Sequence, residues 1–297
     1  MPTNIRGISA VGNPSTGTKT VSGNQSAGIS VLRINCTGTP PVVHNILRIG
    51  ATSGVLSSAP IYYITSIALV SGTVYDIGIS PTLASSVTNG TNILCVFDNV
   101  NFFNSLTGGS GWLPVITTIP AGTIEIAECY KGAVFAGPLK PNVSSGLTAT
   151  NYRHLRAASG HTYDPITQTG CVITNTIAFS SMSENALVVI PEQYFRLEGF
   201  GILGNFTSAD TGSRYLVRLN ETSFGNDPLG IQVSRNFLKA TATGTSVSSL
   251  HVTGIRIGTH VSGSLVYNNI IVASTTLTIG NTIGIDVDAI NSATSVY

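Results

Sequence analysis

The chain has 297 residues, of which 42% are hydrophobic, enough for a sizeable core in one large or two medium domains. Only 9% are charged, against roughly 25% in ordinary soluble domains, and the net charge is +1. That balance, with no run of basic residues to track phosphates, excludes an electrostatic nucleic-acid binder, and no apolar stretch of about 18 residues marks a membrane span.

With 32 glycines and abundant Ser, Thr and Asn, the profile is that of an all-β extracellular or virion-surface protein kept soluble by hydroxyls and amides. The N-terminus, Met1-Pro2-Thr3-Asn4-Ile5-Arg6, carries no apolar signal region. A chain made in a cytosol, and exported if at all by another route such as lysis with a virus particle, is expected. Residues 1–27 are polar and rich in Gly, Ser and Thr, and read as an extended arm without a core of its own, free to add strands to a partner.

Residues 28–98 alternate with a period of two in short runs: Ile29–Ile34, Asn45–Ile49, Ile61–Val70, Val74–Ile79 and Asn92–Phe97. Ser71-Gly72 centres a hairpin, and Ser80-Pro81 closes a strand because proline lacks the ladder's N–H. A small β-sandwich or barrel is expected here. Residues 99–119 break the pattern, with Phe102, Phe103, Leu106 and Trp112 around a Gly/Ser-rich centre. They read as a cap over the first rung of a stacked domain beginning near residue 120, Trp112 plugging a core in preference to stacking on a sugar.

From 120 on, strand-like runs recur: Ile124–Tyr130, Tyr152–Ala157, Cys171–Ile173, Ala186–Ile190, Tyr194–Ile202 and Tyr215–Leu219. The last third repeats itself. Gly254-Ile255-Arg256-Ile257 returns 30 residues on as Gly284-Ile285-Asp286-Val287, and Val266-Tyr267 returns as Val296-Tyr297. Upstream, Val233–Leu238 matches Val266–Ile271 at a spacing of 33. A period of about 30 with strand alternation and no helical stripe predicts stacked rungs of three short strands. Ile255 then stacks on Ile285, Ile257 on Val287, and Arg256 on Asp286, at about 4.8 Å per rung. The fold expected is all-β: the small N-terminal β-domain followed by a right-handed parallel β-helix over 120–297. Since Val296-Tyr297 aligns with the middle of a repeat, that helix is expected to continue beyond residue 297.

The chemistry is sparse. Gly199-Phe200-Gly201-Ile202-Leu203-Gly204 fits a dinucleotide fingerprint, but Asn205-Phe206-Thr207-Ser208 stands where a helix is required. Cys36, Cys95, Cys129 and Cys171 are widely spaced with no Cys-x-x-Cys, so no zinc site is expected and buried free thiols are. Neither cofactor nor metal is implied. With only 13 Asp and Glu residues, no two carboxylates form a recognisable acid–base pair. Asp164, Glu198 and Glu221 are the weak catalytic candidates. Glu128 shares a face with Ile124 and Ile126, and a charge buried there needs Arg153 or Arg156. Arg214, Arg218, Arg235, Lys239 and Arg256 read as solvated outward residues. Asn236 and Asn269 read as turn residues suited to left-handed backbone, their amides stacked in a ladder.

Ile124–Tyr130, Tyr152–Leu155 with Gly160, and Phe195–Ile202 resemble the right-handed parallel β-helix, or pectin-lyase-like, proteins of bacteriophages and environmental genomes. The resemblance covers about 100–297. It implies a structural virion protein, a tail spike or tail fibre, attached to the particle through the arm and small domain and projecting a β-helix for host attachment. A homotrimer and contact with a host-surface glycan are implied with it. The same scaffold also carries polysaccharide depolymerases, capsid decoration proteins and carbohydrate-binding proteins without turnover; this chain leans away from an enzyme.

Overall fold

A computed structural model describes residues 3–9, 17–50, 60–95, 119, 121–131, 134–141, 145–175, 185–207, 210–219, 229–242, 247–258, 261–275, 279–287 and 295–296. Among them there are 22 strands and no helix. Gly/Asn/Ser punctuation and short β-branched runs without a helical stripe leave no helical face to bury, so every described element is a strand.

The first strand is β1 (Thr3–Ser9); β2 (Lys19–Val21), β3 (Val31–Cys36), β4 (Ile46–Ile49), β5 (Ile61–Ser71), β6 (Val74–Ser80) and β7 (Ile93–Cys95) come after it. Strands β2–β7 form one antiparallel sheet in the order β2-β3-β6-β5-β4-β7. The sheet returns on itself. Thr20 bridges Asn92, Val21 N donates to Thr91 O at 2.8 Å, and Gly90 N donates to Val21 O at 2.8 Å. Of the sandwich or barrel expected, the structure has the closed form, which leaves no free edge between its first and last strands. Leu32, Ile34, Leu47, Ile64, Ile77 and Ile79 fill it. The hairpin turns at Gly72, with Ser71 opposite Val74.

Parallel strands then take over: β8 (Ile124–Tyr130), β9 (Val134–Gly137), β10 (Tyr152–Ala157), β11 (Val172–Asn175), β12 (Ala186–Ile190), β13 (Arg196–Glu198), β14 (Gly201–Phe206), β15 (Gly212–Leu219), β16 (Gln232–Ser234), β17 (Phe237–Ala242), β18 (Val247–Ile257), β19 (Leu265–Tyr267), β20 (Ile270–Thr275), β21 (Ile279–Val287) and β22 (Ser295–Val296). They make three parallel sheets. The first runs β1-β8-β10-β13-β16-β19-β22, the second β9-β11-β14-β17-β20, and the third β12-β15-β18-β21. From β10 on, the chain visits first, second and third sheet in that order on every turn. One continuous core lies between them, containing Phe135, Leu155, Ile173, Phe195, Leu197, Phe200, Ile202, Leu216, Val233, Leu238 and Ile255.

The repeats set the register. Ile255 pairs with Ile285, Arg256 with Asp286 and Ile257 with Val287; Val266 pairs with Val296, and Val233 with Val266. Ile255 and Ile257 are buried, while Val287 on the last described strand of its sheet is exposed. Arg256 donates to Asp286 across the rung, both side chains about a quarter exposed. Asp286→Asn is therefore expected to cost no more than about 1 kcal/mol, read from the urea midpoint.

Three expectations need correction. First, the N-terminal 27 residues are not a free arm where they are described. Thr3–Ser9 lies parallel to β8 over seven residues, Thr3 opposite Ile124 and Ser9 opposite Tyr130, and Lys19–Val21 is a barrel strand. The barrel is thus inserted between the first strand of the coil and the rest of it. Gly7 permits the close fit, because a Cβ there would meet Ile46 Cδ1 at 2.3 Å. Second, left-handed backbone falls at Arg235 and Asn268, one residue before each ladder asparagine. Asn236 and Asn269 form the ladder itself: Asn236 Nδ2 donates to Asn269 Oδ1 at 3.1 Å. Third, Arg214 is buried and donates to Asn185 Oδ1 instead of solvating the surface. The cap expected over 99–119 lies, apart from Ile119, outside the described residues. Cys36, Cys129 and Cys171 are buried free thiols.

Candidate functional site

The barrel and the coil meet along an aromatic seam. Tyr63 comes from β5, Tyr130 ends β8, and His161 lies in the turn after β10. Tyr63 and Tyr130 stack at 5.9 Å between ring centroids, and His161 stands edge-on to both, at 4.8 and 4.9 Å. Such edge-to-face contacts add to the area they bury. Polar groups fix the rings. The Tyr63 hydroxyl donates to the Lys131 carbonyl at 2.7 Å and receives a hydrogen bond from His44 Nδ1. The Lys131 amide donates to His161 Nδ1 at 3.1 Å, which places the neutral ring's proton on Nε2. Arg48 of β4, buried, donates to the carbonyl of Ile5 on β1 at 2.8 Å.

Beside the seam is a cleft of about 520 Å³ lined by Arg48, Ile61, Glu128, Tyr130, Ser159 and His161 among others. A concave site at a domain junction with convergent polar groups is where ligands generally bind. Its groups are tuned away from acid–base work at neutral pH. Burial first, then the Lys131 charge, pulls His161 down to about 4. Burial, with the Glu128 carboxylate adding to it, raises Tyr130, whose hydroxyl donates to Glu128 Oε2 at 3.3 Å. Burial also pushes Tyr63 up to about 12. A base that protonates near pH 4 and a phenol held protonated are poor proton shuttles, since efficient ones titrate near the working pH. The cleft supplies hydrogen bonds instead.

The depressed His161 value makes the seam acid-sensitive. An unfolded histidine takes its proton near pH 6.5, the folded one only near 4, so the unfolded state binds more protons between those values. The stability contributed by neutral His161 is present above about pH 6.5 and is lost as pH falls toward 4. His161→Gln is expected to flatten that part of the stability–pH curve, measured as thermal midpoints across the window.

From Glu128 a line of charges runs along the outward side of the first sheet. Glu128, Arg156 and Glu198 occupy one register line. Arg156 NH2 reaches Glu128 Oε1 at 2.6 Å, so of the two arginines expected for Glu128 the partner is Arg156. Glu128 lies on the outward side, not in the core. Glu198 is held by Arg235 at 3.1 Å and by His154 Nε2 at 3.0 Å. The hydrogen bond from His154 is the main reason its carboxyl sits below the usual range; burial opposes this, and the charges of His154, Arg235 and Arg156 reinforce it. The Arg196 guanidinium carbon lies over the Tyr152 ring, 3.7 Å from its centroid.

Of the carboxylates singled out by sequence, Glu198 thus belongs to this line. Asp164 caps its own exposed turn, accepting from Ile166 N at 2.9 Å and Thr167 Oγ1 at 2.7 Å. Glu221 lies outside the described residues. Arg153, the other arginine considered for Glu128, is fully buried against Glu192. Gly201 opens strand β14, so the glycine-rich run leads into a strand with no helix N-terminus to hold a pyrophosphate. Among the described residues no group of three or more His, Cys, Asp or Glu is arranged to hold a metal ion. Tyr63, Tyr130 and Arg48 were legible only as strand residues, because the cleft's groups come from segments up to about 110 residues apart, with no motif spacing between them. No protein-family model matches the chain, and the search of curated proteins found no match.

Proposed function

We propose that the chain is a structural, adhesive protein of a virus particle, of the tail spike or tail fibre kind. In this reading the parallel strands wind as a right-handed β-helix, the hand favoured for parallel crossovers. The helix is the shaft and the barrel is the attachment module, and three copies associate. The observation that carries the reading is the junction. The coil's first strand takes a hydrogen bond from the barrel's buried Arg48, and an aromatic seam packs the two parts together, the kind of fixed joint that load transfer from anchor to shaft requires. Three carboxylates on the outward side of the coil support it. Glu128, Glu198 and Asp286 are each tied to an arginine, which suits a surface built for persistence more than for proton transfer.

The test is direct. Antibody raised to the purified chain is expected to label virus particles in electron micrographs, at the tail or the capsid surface. Absence of label on particles whose genome encodes the chain would sink the reading.

One observation favours a second reading, a polysaccharide depolymerase. Glu128 and Glu198 flank Arg156 on one outward register line, two rungs and so about 9.6 Å apart at the backbone, and a pair of outward carboxylates on one face is what a glycosidase on this scaffold would require. Release of reducing ends or unsaturated uronates from a capsular or pectin-type polymer, abolished in Glu198→Gln, would replace the structural reading. Glycan binding without product would keep it and add a ligand.

A further inference from the structure

The three sheets differ in what they turn outward. The first carries Glu128, Arg156, His154, Glu198 and Arg235 in ion pairs. The third carries Arg218, Arg256 and Asp286. On the second, the described outward positions of β9, β11, β14, β17 and β20 hold a single charge, Lys239, and alternate Val134, Val172, Leu203, Phe237, Ile270 and Val272 with Thr and Asn. Ile270 is 55% and Val134 48% exposed. A contiguous apolar stripe on one face, beside two faces of paired charge, marks an interaction surface.

That face also has relief. Gly201 leaves a gap in the outward column, and the Tyr163 ring fills it, since a Cβ on Gly201 would lie 2.6 Å from the ring. There Tyr163 stacks on Phe237 at 5.5 Å. Its turn, residues 163–170, is fixed by Tyr163 N to Gly199 O at 2.9 Å, Asp164 N to Thr169 O at 2.8 Å, and the Asp164 cap. The turn holds Ile166 out at its tip, 91% exposed. Between the turn and the strands runs a groove of about 350 Å³ lined by Tyr163, Pro165, Leu203, Phe237 and Lys239.

We propose that the outward side of the second sheet is the interface between copies of this chain, with Ile166 of one copy seated in the groove of the next. Charge selects the occupant. A partner recognised by its charge has almost nothing to pair with here, whereas a second copy brings the same nearly uncharged surface. The groove and the knob are different patches of one face, and a turn pinned to its own sheet cannot fold its tip back into its own groove. Each copy can therefore give its knob to one neighbour and take a knob from another, a heterologous contact of the kind that closes into rings; a two-fold pair exchanging both knobs is the isologous alternative, and the measured mass distinguishes the two. Five strands of four to six residues give roughly 410 Å² in plan, about half of the roughly 800 Å² per partner in a standard interface, so the proposal requires the knob and its turn to bury the rest.

This assignment rests on the oligomeric part of the function proposed above, and the experiment separates the two. Full-length wild type, Ile166→Glu, Ile270→Glu and the barrel control Leu69→Glu are compared by light scattering up to about 100 µM, with thermal melts to confirm folding. Leu69 is an exposed apolar residue on a different surface. The expected result is an oligomeric wild type, an unchanged control, and at least about a tenfold weaker association in each second-sheet variant. Two folded variants with wild-type mass would overturn the interface while leaving the oligomer standing. A wild type that stays monomeric would overturn both.

Discussion

Arg153→Ala is expected to destabilise the protein by about 3–5 kcal/mol, the cost of removing one partner from a buried ion pair. Arg153 has no exposed surface, and its guanidinium donates to Glu192, equally buried. Glu125, its register neighbour on β8, is buried too. Alanine leaves the Glu192 carboxylate in the interior without the cation it pairs with, and buried Glu125 beside the gap. Because the loss comes from uncompensated charge, Arg153→Met combined with Glu125→Gln and Glu192→Gln is expected to recover most of it. Urea denaturation monitored by tryptophan fluorescence and by circular dichroism decides the matter. A single Arg153→Ala within about 1 kcal/mol of wild type would show that the carboxylates find other cations.

Asn236→Ala is expected to cost about 2–4 kcal/mol, because it orphans two buried backbone groups at about 1–3 kcal/mol each. Asn236 is 2% exposed. Its Oδ1 accepts from Phe200 N at 3.0 Å, and its Nδ2 donates to Leu197 O at 3.2 Å. One rung on, Asn269 Nδ2 donates to Val233 O at 2.8 Å. Each amide thus ties the corner between first and second sheets to the rung before it. Asn236→Asp is expected to be worse than alanine, because a carboxylate would face the Leu197 carbonyl and Asn269 Oδ1 with no proton to give. Equilibrium unfolding ranks the variants, and faster hydrogen exchange at the Phe200 amide locates the damage. Equal stability for Asp and Asn would contradict the donor role.

The repetitive part of the fold was legible because strand alternation and a fixed period are both written locally. Ile255, Arg256 and Ile257 predict their own partners 30 residues on, and the structure pairs them as expected. The strands Ile124–Tyr130, Tyr152–Ala157 and Ala186–Ile190 likewise fall where the alternation puts them. Thr3–Ser9 and Val134–Gly137 were not legible. Both are short, glycine-containing runs in polar surroundings, and their strand character comes from a neighbour already in place, not from propensity. The cleft was less legible still. For Glu128 the sequence left Arg153 and Arg156 open and pointed to the core, since alternation alone does not say which face of a strand turns inward. His161, Tyr63 and Arg48 converge only through the insertion of the barrel, a long-range event with no local signature.

That insertion also dictates an order of events. The β1–β8 ladder joins residues about 120 positions apart, so it waits on the closure of a long loop, whose entropy must be met before any hydrogen bond returns it. The later rungs close loops of about 30 residues. During synthesis Thr3–Ser9 emerges before the barrel yet has no partner strand until Tyr130 has left the ribosome. In the interval it is an unpaired strand edge, open to capture by any other chain in the same state. The barrel, complete by Cys95, shortens that exposure: once Ile46 packs over Gly7 and Arg48 takes the Ile5 carbonyl, β1 is moored beside the place where β8 will arrive. The small domain then serves as an internal template for nucleating the coil, and slow or faulty barrel folding would appear first as aggregation through an N-terminal strand left without its mate.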